Sequence, residues 1–172
     1  SYLCYNPITI DEPKKVLYLI SATRLTREKG KDRILKLAKA LDEAEIPYIW
    51  TIFTNDTKEI KHPRIIFIEP QLNIRDYIAK SDYTVQLSDT EAYCYTMIES
   101  LLLNVPVIVT PWACLKELDI TDEYGFILPF YMSDIPVKEI YNKKVLALGK
   151  GRSKKLAEME AAKYAIEGLK NK

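Results

Sequence analysis

Residues 83–110 read YTVQLSDTEAYCYTMIESLLLNVPVIVT and place two short apolar runs on either side of a helical pattern. The runs at 83–87 (YTVQL) and 105–110 (VPVIVT) are near-continuously apolar and rich in β-branched residues, as strands buried on both faces are. Between them, residues 95–103 (YTMIESLLL) form a Leu-rich helical stretch. A strand, a helix and a second strand of this kind make a parallel crossover, because parallel neighbours need a connection of a dozen or more residues.

The same alternation continues in both directions. Upstream, residues 16–20 (VLYLI) form a first strand, and 21–30 a polar turn. Residues 32–44 then form a helix with Ile34, Leu35, Leu37, Ala38 and Leu41 facing inward. Strands follow at 48–53 (YIWTIF) and 65–68, and a short helix at 72–80 turns Ile74, Tyr77 and Ile78 inward. Downstream come a short helix at 114–118 and a sixth strand at 125–128, placed at an edge. The expected fold class is α/β, a Rossmann-like doubly wound parallel sheet with helices on both faces. Such a sheet binds ligands beyond the carboxyl ends of its strands. The core domain is expected to span 1–130, with a linker at 131–143 and a strand–helix appendage at 144–172.

The 172 residues suffice for one domain with an ordinary core, and 48% apolar with 28% charged residues excludes wholesale disorder. The net charge of +1 hides a split. Residues 143–172 carry nine Lys/Arg against three Glu, a net +6, and residues 1–142 a net −5. Three widely spaced cysteines (Cys4, Cys94, Cys114) without a CxxC pair argue against a disulfide framework and for a reducing, cytoplasmic setting. His62 is the single histidine, beside Pro63, and reads as a surface loop residue, so neither a His-rich metal centre nor two-histidine chemistry is expected. There is no apolar run long enough for a transmembrane span and no signal peptide pattern. The abrupt start at Ser1 reads as that of a fragment.

Two clusters can carry chemistry. The turn SATRLTREKG (21–30) sits between a strand end and a helix start, where backbone amides and the helix dipole favour anions. Arg24 and Lys29 add two cations, a set suited to a diphosphate, although a solvated charged turn has the same composition. The second cluster is TEAYCYTMIES (90–100), in which Glu91 lies in a loop and Glu99 one to two turns into the following helix. Carboxylates accept hydrogen bonds from vicinal sugar hydroxyls. Glu99 lies among Met97, Ile98, Leu101 and Leu102, a costly place for an unpaired charge, and a structural glutamate is the alternative reading. Thr96 is placed to offer a backbone N–H at the helix start.

Residues 1–130 resemble the C-terminal, donor-binding domain of retaining GT-B glycosyltransferases of the family-4 type, half of a GT-B fold. The resemblance rests on RLTREKG (24–30), EAYCYTMIESLLLNVPVIVT (91–110) and YGFILP (124–129), and the YNPITI stretch looks like the hinge between the halves of such enzymes. It implies a nucleotide-diphosphate sugar as ligand, a UDP-sugar or GDP-sugar, with no further cofactor and no metal, in polysaccharide biosynthesis. The implied catalytic residues are Arg24, Lys29 and Glu91, and the implied donor-binding set is Arg24, Lys29, Glu91, Tyr95, Thr96 and Glu99. Arg24 and Lys29 bind the diphosphate, Glu91 faces the transferred sugar, and Glu99 holds the ribose hydroxyls. Retaining transfer also implies an N-terminal acceptor domain as partner, without which this half is inactive. Ala92, Cys94 and Asn104 stand where the family often has glycine, and Ala92 and Cys94 narrow the backbone approach to the phosphate.

Residues 144–169 read as a strand (145–148), a Gly-Lys-Gly turn and a helix capped by Ser153 with Leu156, Met159, Ala162, Ala165, Ile166 and Leu169 on one face. They resemble the C-terminal third of a double-stranded-RNA-binding domain. That resemblance implies phosphate contacts from Lys150, Arg152, Lys154 and Lys155, and double-stranded RNA as the alternative partner. A helix packed on the α/β body, a chain joined from two unrelated parts, and peripheral attachment to an anionic membrane surface at its inner face are the other readings.

Overall fold

The computed structural model describes residues 14–142. Six strands form one sheet, all parallel, in the order β3-β2-β1-β4-β5-β6. The strands are β1 (Leu17–Ala22), β2 (Tyr48–Phe53), β3 (Ile65–Ile68), β4 (Tyr83–Gln86), β5 (Val107–Val109) and β6 (Gly125–Ile127). Interleaved are helices α1 (Lys31–Glu43), α2 (Ile74–Ile78), α3 (Tyr95–Leu102), α4 (Cys114–Glu117) and α5 (Val137–Asn142), with a 3-10 turn at Asp122–Tyr124. The doubly wound parallel sheet is therefore present as expected, with β6 at one edge and β3 at the other.

Strand pleating divides the side chains between two apolar layers. Leu17 and Leu19 of β1, Trp50 and Ile52 of β2, and Tyr83 and Val85 of β4 pack with Ile34, Leu37, Ala38 and Leu41 of α1. A second cluster joins Met97, Ile98 and Leu101 of α3 to Val107, Val109, Trp112 and Leu115, and a third joins Ile20, Phe53, Ile78 and Val105. Polar groups inside the first layer are satisfied in pairs. The Trp50 indole donates to Ser21 Oγ at 3.0 Å, and that hydroxyl donates to the Val85 carbonyl at 2.7 Å. Gly125 opens β6 with φ +151°, and a Cβ there would lie 1.9 Å from the Val107 carbonyl oxygen, so the β5–β6 contact needs glycine.

Four expectations are corrected. Leu35 is 39% exposed, because Ile34, Leu37, Ala38 and Leu41 complete the buried stripe of α1 and leave Leu35 a step around the helix. Tyr77 is 40% exposed and meets Phe53 edge-on at 5.0 Å, since the one-turn α2 buries only Ile78 fully. His62 is tied down rather than simply a surface loop residue, with Nε2 2.8 Å from Asp42 Oδ2 and Nδ1 accepting from the Arg64 N–H at 3.2 Å. Of the stretch expected as a linker, the described residues 131–142 pack against the body, for Met132 is buried and α5 packs Ile140 into the main layer. The Tyr83 hydroxyl donates to the Ile140 carbonyl at 3.0 Å, and the Tyr141 hydroxyl to the Lys15 carbonyl at 2.8 Å.

Among the described residues no helix is long and apolar enough to cross a membrane. The YNPITI stretch, the strand at 145–148, the helix from Ser153 and the cations Lys150, Arg152, Lys154 and Lys155 lie outside the described residues.

Candidate active site

The strand order reverses between β1 and β4, so the loops leaving their carboxyl ends, 23–30 and 87–94, diverge across one crevice. Several contacts lock these loops together. The Asp89 N–H donates to the Glu28 carbonyl at 2.7 Å. Gly30 caps α1 in the left-handed conformation (φ +86°), and a Cβ on it would stand 2.1 Å from the Leu87 carbonyl oxygen. Only glycine permits that approach.

Lys29 and Glu91, 62 residues apart in sequence, meet at the crevice, with Lys29 Nζ 3.0 Å from Glu91 Oε1. Two neutral donors reach the same oxygen, Ser88 Oγ at 2.6 Å and Gln86 Nε2 at 3.0 Å, and Gln86 Nε2 also donates to Ser88 Oγ at 2.8 Å. The two side chains are only 21% and 14% exposed, so the pair is desolvated enough for each charge to depend on the other. Three donors on one oxygen also fix the carboxylate in place, which a solvated surface glutamate lacks. Arg24 stands differently: it is mostly exposed and pairs with Glu28 at 3.6 Å. An exposed pair at that distance is weak, leaving Arg24 able to turn toward an anion.

Tyr95 and Thr96 form the first turn of α3 and Glu99 the second, and all three are half-buried. The rings of Tyr93 and Tyr95 meet edge-on at 4.9 Å. Burial pushes the Cys94 thiol up to about 12, with the neighbouring Met97 amide pulling weakly the other way, so Cys94 is a neutral plug at the start of α3 rather than a nucleophile.

Beside Arg24 a crevice of about 270 Å³ opens at the carboxyl ends of β1, β2 and β3. Phe53, Pro70 and Ile74 give it apolar walls, while Asn55 and Gln71 contribute amides. The sequence reading missed this crevice, and it missed Gln86 and Ser88. A signal existed for both. Asn55 and Gln71 lie within three residues of strand ends, and Gln86 is a polar residue ending an otherwise apolar strand.

The family model for "Glycosyl transferases group 1" matches residues 8–143. The chain belongs to that family. The glycosyl transferase match takes in the Lys29 and Glu91 loops and α5 alike. Comparison with the curated proteins returned no match. Among solved structures, sucrose-phosphate synthase from Thermosynechococcus elongatus aligns with TM-score 0.65 and 17% identity, over 93% of this chain and 46% of that one. TarM aligns with TM-score 0.68 and 13% identity, over 94% of this chain and 36% of that one. Anabaena HepE, solved in complex with UDP and glucose, aligns with TM-score 0.59 and 18% identity, over 73% of this chain and 38% of that one. At such identities the likeness establishes the shared fold. The glycosyl transferase domain spans less than half the length of each of these proteins.

Proposed function

We propose that the domain binds a nucleotide-diphosphate sugar and is the donor half of a retaining glycosyltransferase. The observation that carries this reading is the Lys29–Glu91 pair, half-buried where the sheet order reverses and clamped by Ser88 and Gln86. The pair offers a cation for a diphosphate and a fixed acceptor for a sugar hydroxyl, side by side. Arg24, at the lip of the adjoining crevice, supplies a second cation, and the crevice has the size and mixed lining that a nucleobase requires. HepE, solved with UDP and glucose, lends support through its fold.

In this reading Arg24 and Lys29 hold the departing diphosphate, which needs fixed positive charge as the glycosidic oxygen leaves. Lys29 is already oriented by Glu91, so little reorganisation is required when the anion forms. Glu91 faces the transferred sugar and Glu99 the ribose hydroxyls, with Tyr95 and Thr96 beside them at the start of α3. The acceptor domain belongs to the rest of the enzyme, so transfer requires that partner while donor binding does not. Buried, unpaired Cys94 and Cys114 suit a reducing cytoplasmic compartment.

The test is calorimetry of the chain with UDP, GDP and ADP, with duplex RNA as a competitor class. One of the nucleoside diphosphates is expected to bind, and Arg24→Ala combined with Lys29→Ala is expected to abolish binding. Unchanged affinity in that double variant sinks the proposal.

A further inference from the structure

We propose that Arg33 is a positioning residue that sets the sugar-facing loop through Asp89, a role that rests on the donor-binding reading above. Arg33 lies on the third residue of α1, outside the two clusters that the sequence marks for chemistry. Its guanidinium nevertheless ties three separate segments together. Nη1 donates to the Leu87 carbonyl at 2.9 Å, Nε donates to the Phe130 carbonyl at 2.8 Å, and Nη2 pairs with Asp89 Oδ1. The guanidinium also lies over the Phe130 ring, 5.2 Å from its centroid. Its side chain is 16% exposed, well below what a solvated helix-face arginine shows.

Two of these anchors lie in the N-terminal part of the loop that carries Glu91. Leu87 is its first residue, Asp89 is two residues short of Glu91, and Phe130 belongs to the segment that follows β6. Lys29 and Arg24 sit on the other loop, joined to this one through the Asp89 amide and the Glu28 carbonyl and through the Lys29–Glu91 pair. Loosening Arg33 therefore acts on the Glu91 loop directly and reaches Lys29 only through its pairing with Glu91, while Arg24 has no contact with that loop's carboxylates. The planar fork of arginine reaches three acceptors at fixed angles, and a lysine ammonium at the end of a flexible stem cannot. The expected consequence is specific: Arg33 governs how tightly the sugar is held and leaves the nucleoside diphosphate largely untouched.

The experiment measures, for the same chain, the affinity for bare UDP or GDP and for the sugar conjugate of that nucleotide which the wild type binds best. Arg33→Gln and Asp89→Asn are each expected to lower the affinity for the conjugate about tenfold, with the bare nucleotide changing less than about twofold. Arg33→Lys is expected not to rescue, and the double variant to be no worse than either single one, as a shared contact requires. Equal weakening of both ligands, or an unchanged ratio, overturns the inference. Hydrogen exchange read on peptides spanning 87–94 supplies a ligand-free arm. Exchange there is expected to rise about tenfold in Arg33→Gln while β2 stays protected. A wild type that binds no nucleoside diphosphate defeats the donor-binding reading, whereas unchanged exchange in the 87–94 loop defeats the positioning role of Arg33 by itself.

Discussion

Gly30→Ala probes the junction on which the site depends, and its cost can be built from the structure. Gly30 has φ +86°, a conformation that costs an L-residue about 1–2 kcal/mol. The new Cβ would fall 2.1 Å from the Leu87 carbonyl oxygen and 2.7 Å from its carbon, so α1 or the Leu87 peptide must move by more than about 1 Å. Overpacking of this kind costs about 1–3 kcal/mol. Leu87 cannot yield freely, because its carbonyl accepts from Arg33 Nη1 at 2.9 Å, and breaking a charge-assisted bond costs about 1.5–3 kcal/mol. With partial relaxation the total is about 3–6 kcal/mol, a large share of the stability of an ordinary domain. In urea unfolding followed by tryptophan fluorescence, the midpoint is expected to fall by roughly 2 M. Gly30→Asn separates the two causes, since asparagine tolerates the left-handed region but still carries a Cβ. It is expected to recover only the conformational part. An alanine variant whose midpoint falls by less than about 0.5 M would refute the close-approach reasoning.

Nucleotide affinity should respond to the crevice beside Arg24: Ile74→Trp fills part of its volume and is expected to weaken UDP or GDP binding about tenfold by calorimetry, whereas undiminished affinity would put the base elsewhere. Alkaline pH should destabilise the fold in two stages. Burial raises the Cys94 thiol from an ordinary value of 9.0 to about 12, and burial followed by the nearby Asp82 charge raises the Tyr83 phenol from 10.0 to about 12. Both groups keep their protons longer when folded than when unfolded. Their contribution is therefore complete below pH 9, and falls by about 1.4 kcal/mol per pH unit per group as pH rises toward 12. Urea midpoints at pH 8, 9.5 and 11 check this, and Tyr83→Phe should lower the slope above pH 10 without abolishing it, since Cys94 and the Tyr48 phenol, which burial also raises, still titrate there, while the slope between 9 and 10 stays intact.

The fold was legible because each element carries its own signal. The apolar runs of β1, β2 and β4 and the Ile34–Leu37–Leu41 stripe of α1 are local patterns, and their alternation permits few topologies. Lys29 and Glu91 were legible as residue types next to strand ends, but their contact was not, because sequence carries no distance across 62 positions. The crevice near Arg24 escaped for a related reason: three different strand ends build it, each contributes three residues, and only Arg24 among them carries a signal of its own. Arg33 escaped because a charge on the polar side of a helix reads the same whether it faces water or, as here, two carbonyls and a carboxylate. Leu35 and Tyr77 erred in the opposite sense, since apolar character at a helical position does not say how wide the buried stripe is.

The three missing glycines mark where a family pattern must be translated into backbone physics before it is used. Glycine is required where φ is positive or where another backbone comes too close for a Cβ. Cys94 meets no such conformational demand, for it opens α3 with φ −85° and ψ 90°, an extended conformation open to any residue, and Ala92 is not among the residues with positive φ. Asn104 does sit in the left-handed region, with φ +57°, just after the last turn of α3. Asparagine is the residue that best replaces glycine at such a helix end. The turn into β5 is thus kept by a tolerated substitute, and the start of α3 has no need of glycine to form. What Cys94 changes is the surface presented there: a buried, neutral thiol occupies space that glycine leaves open. Any effect of these replacements therefore falls on the shape of the site around the Lys29–Glu91 pair, while the path of the chain through it stays the same.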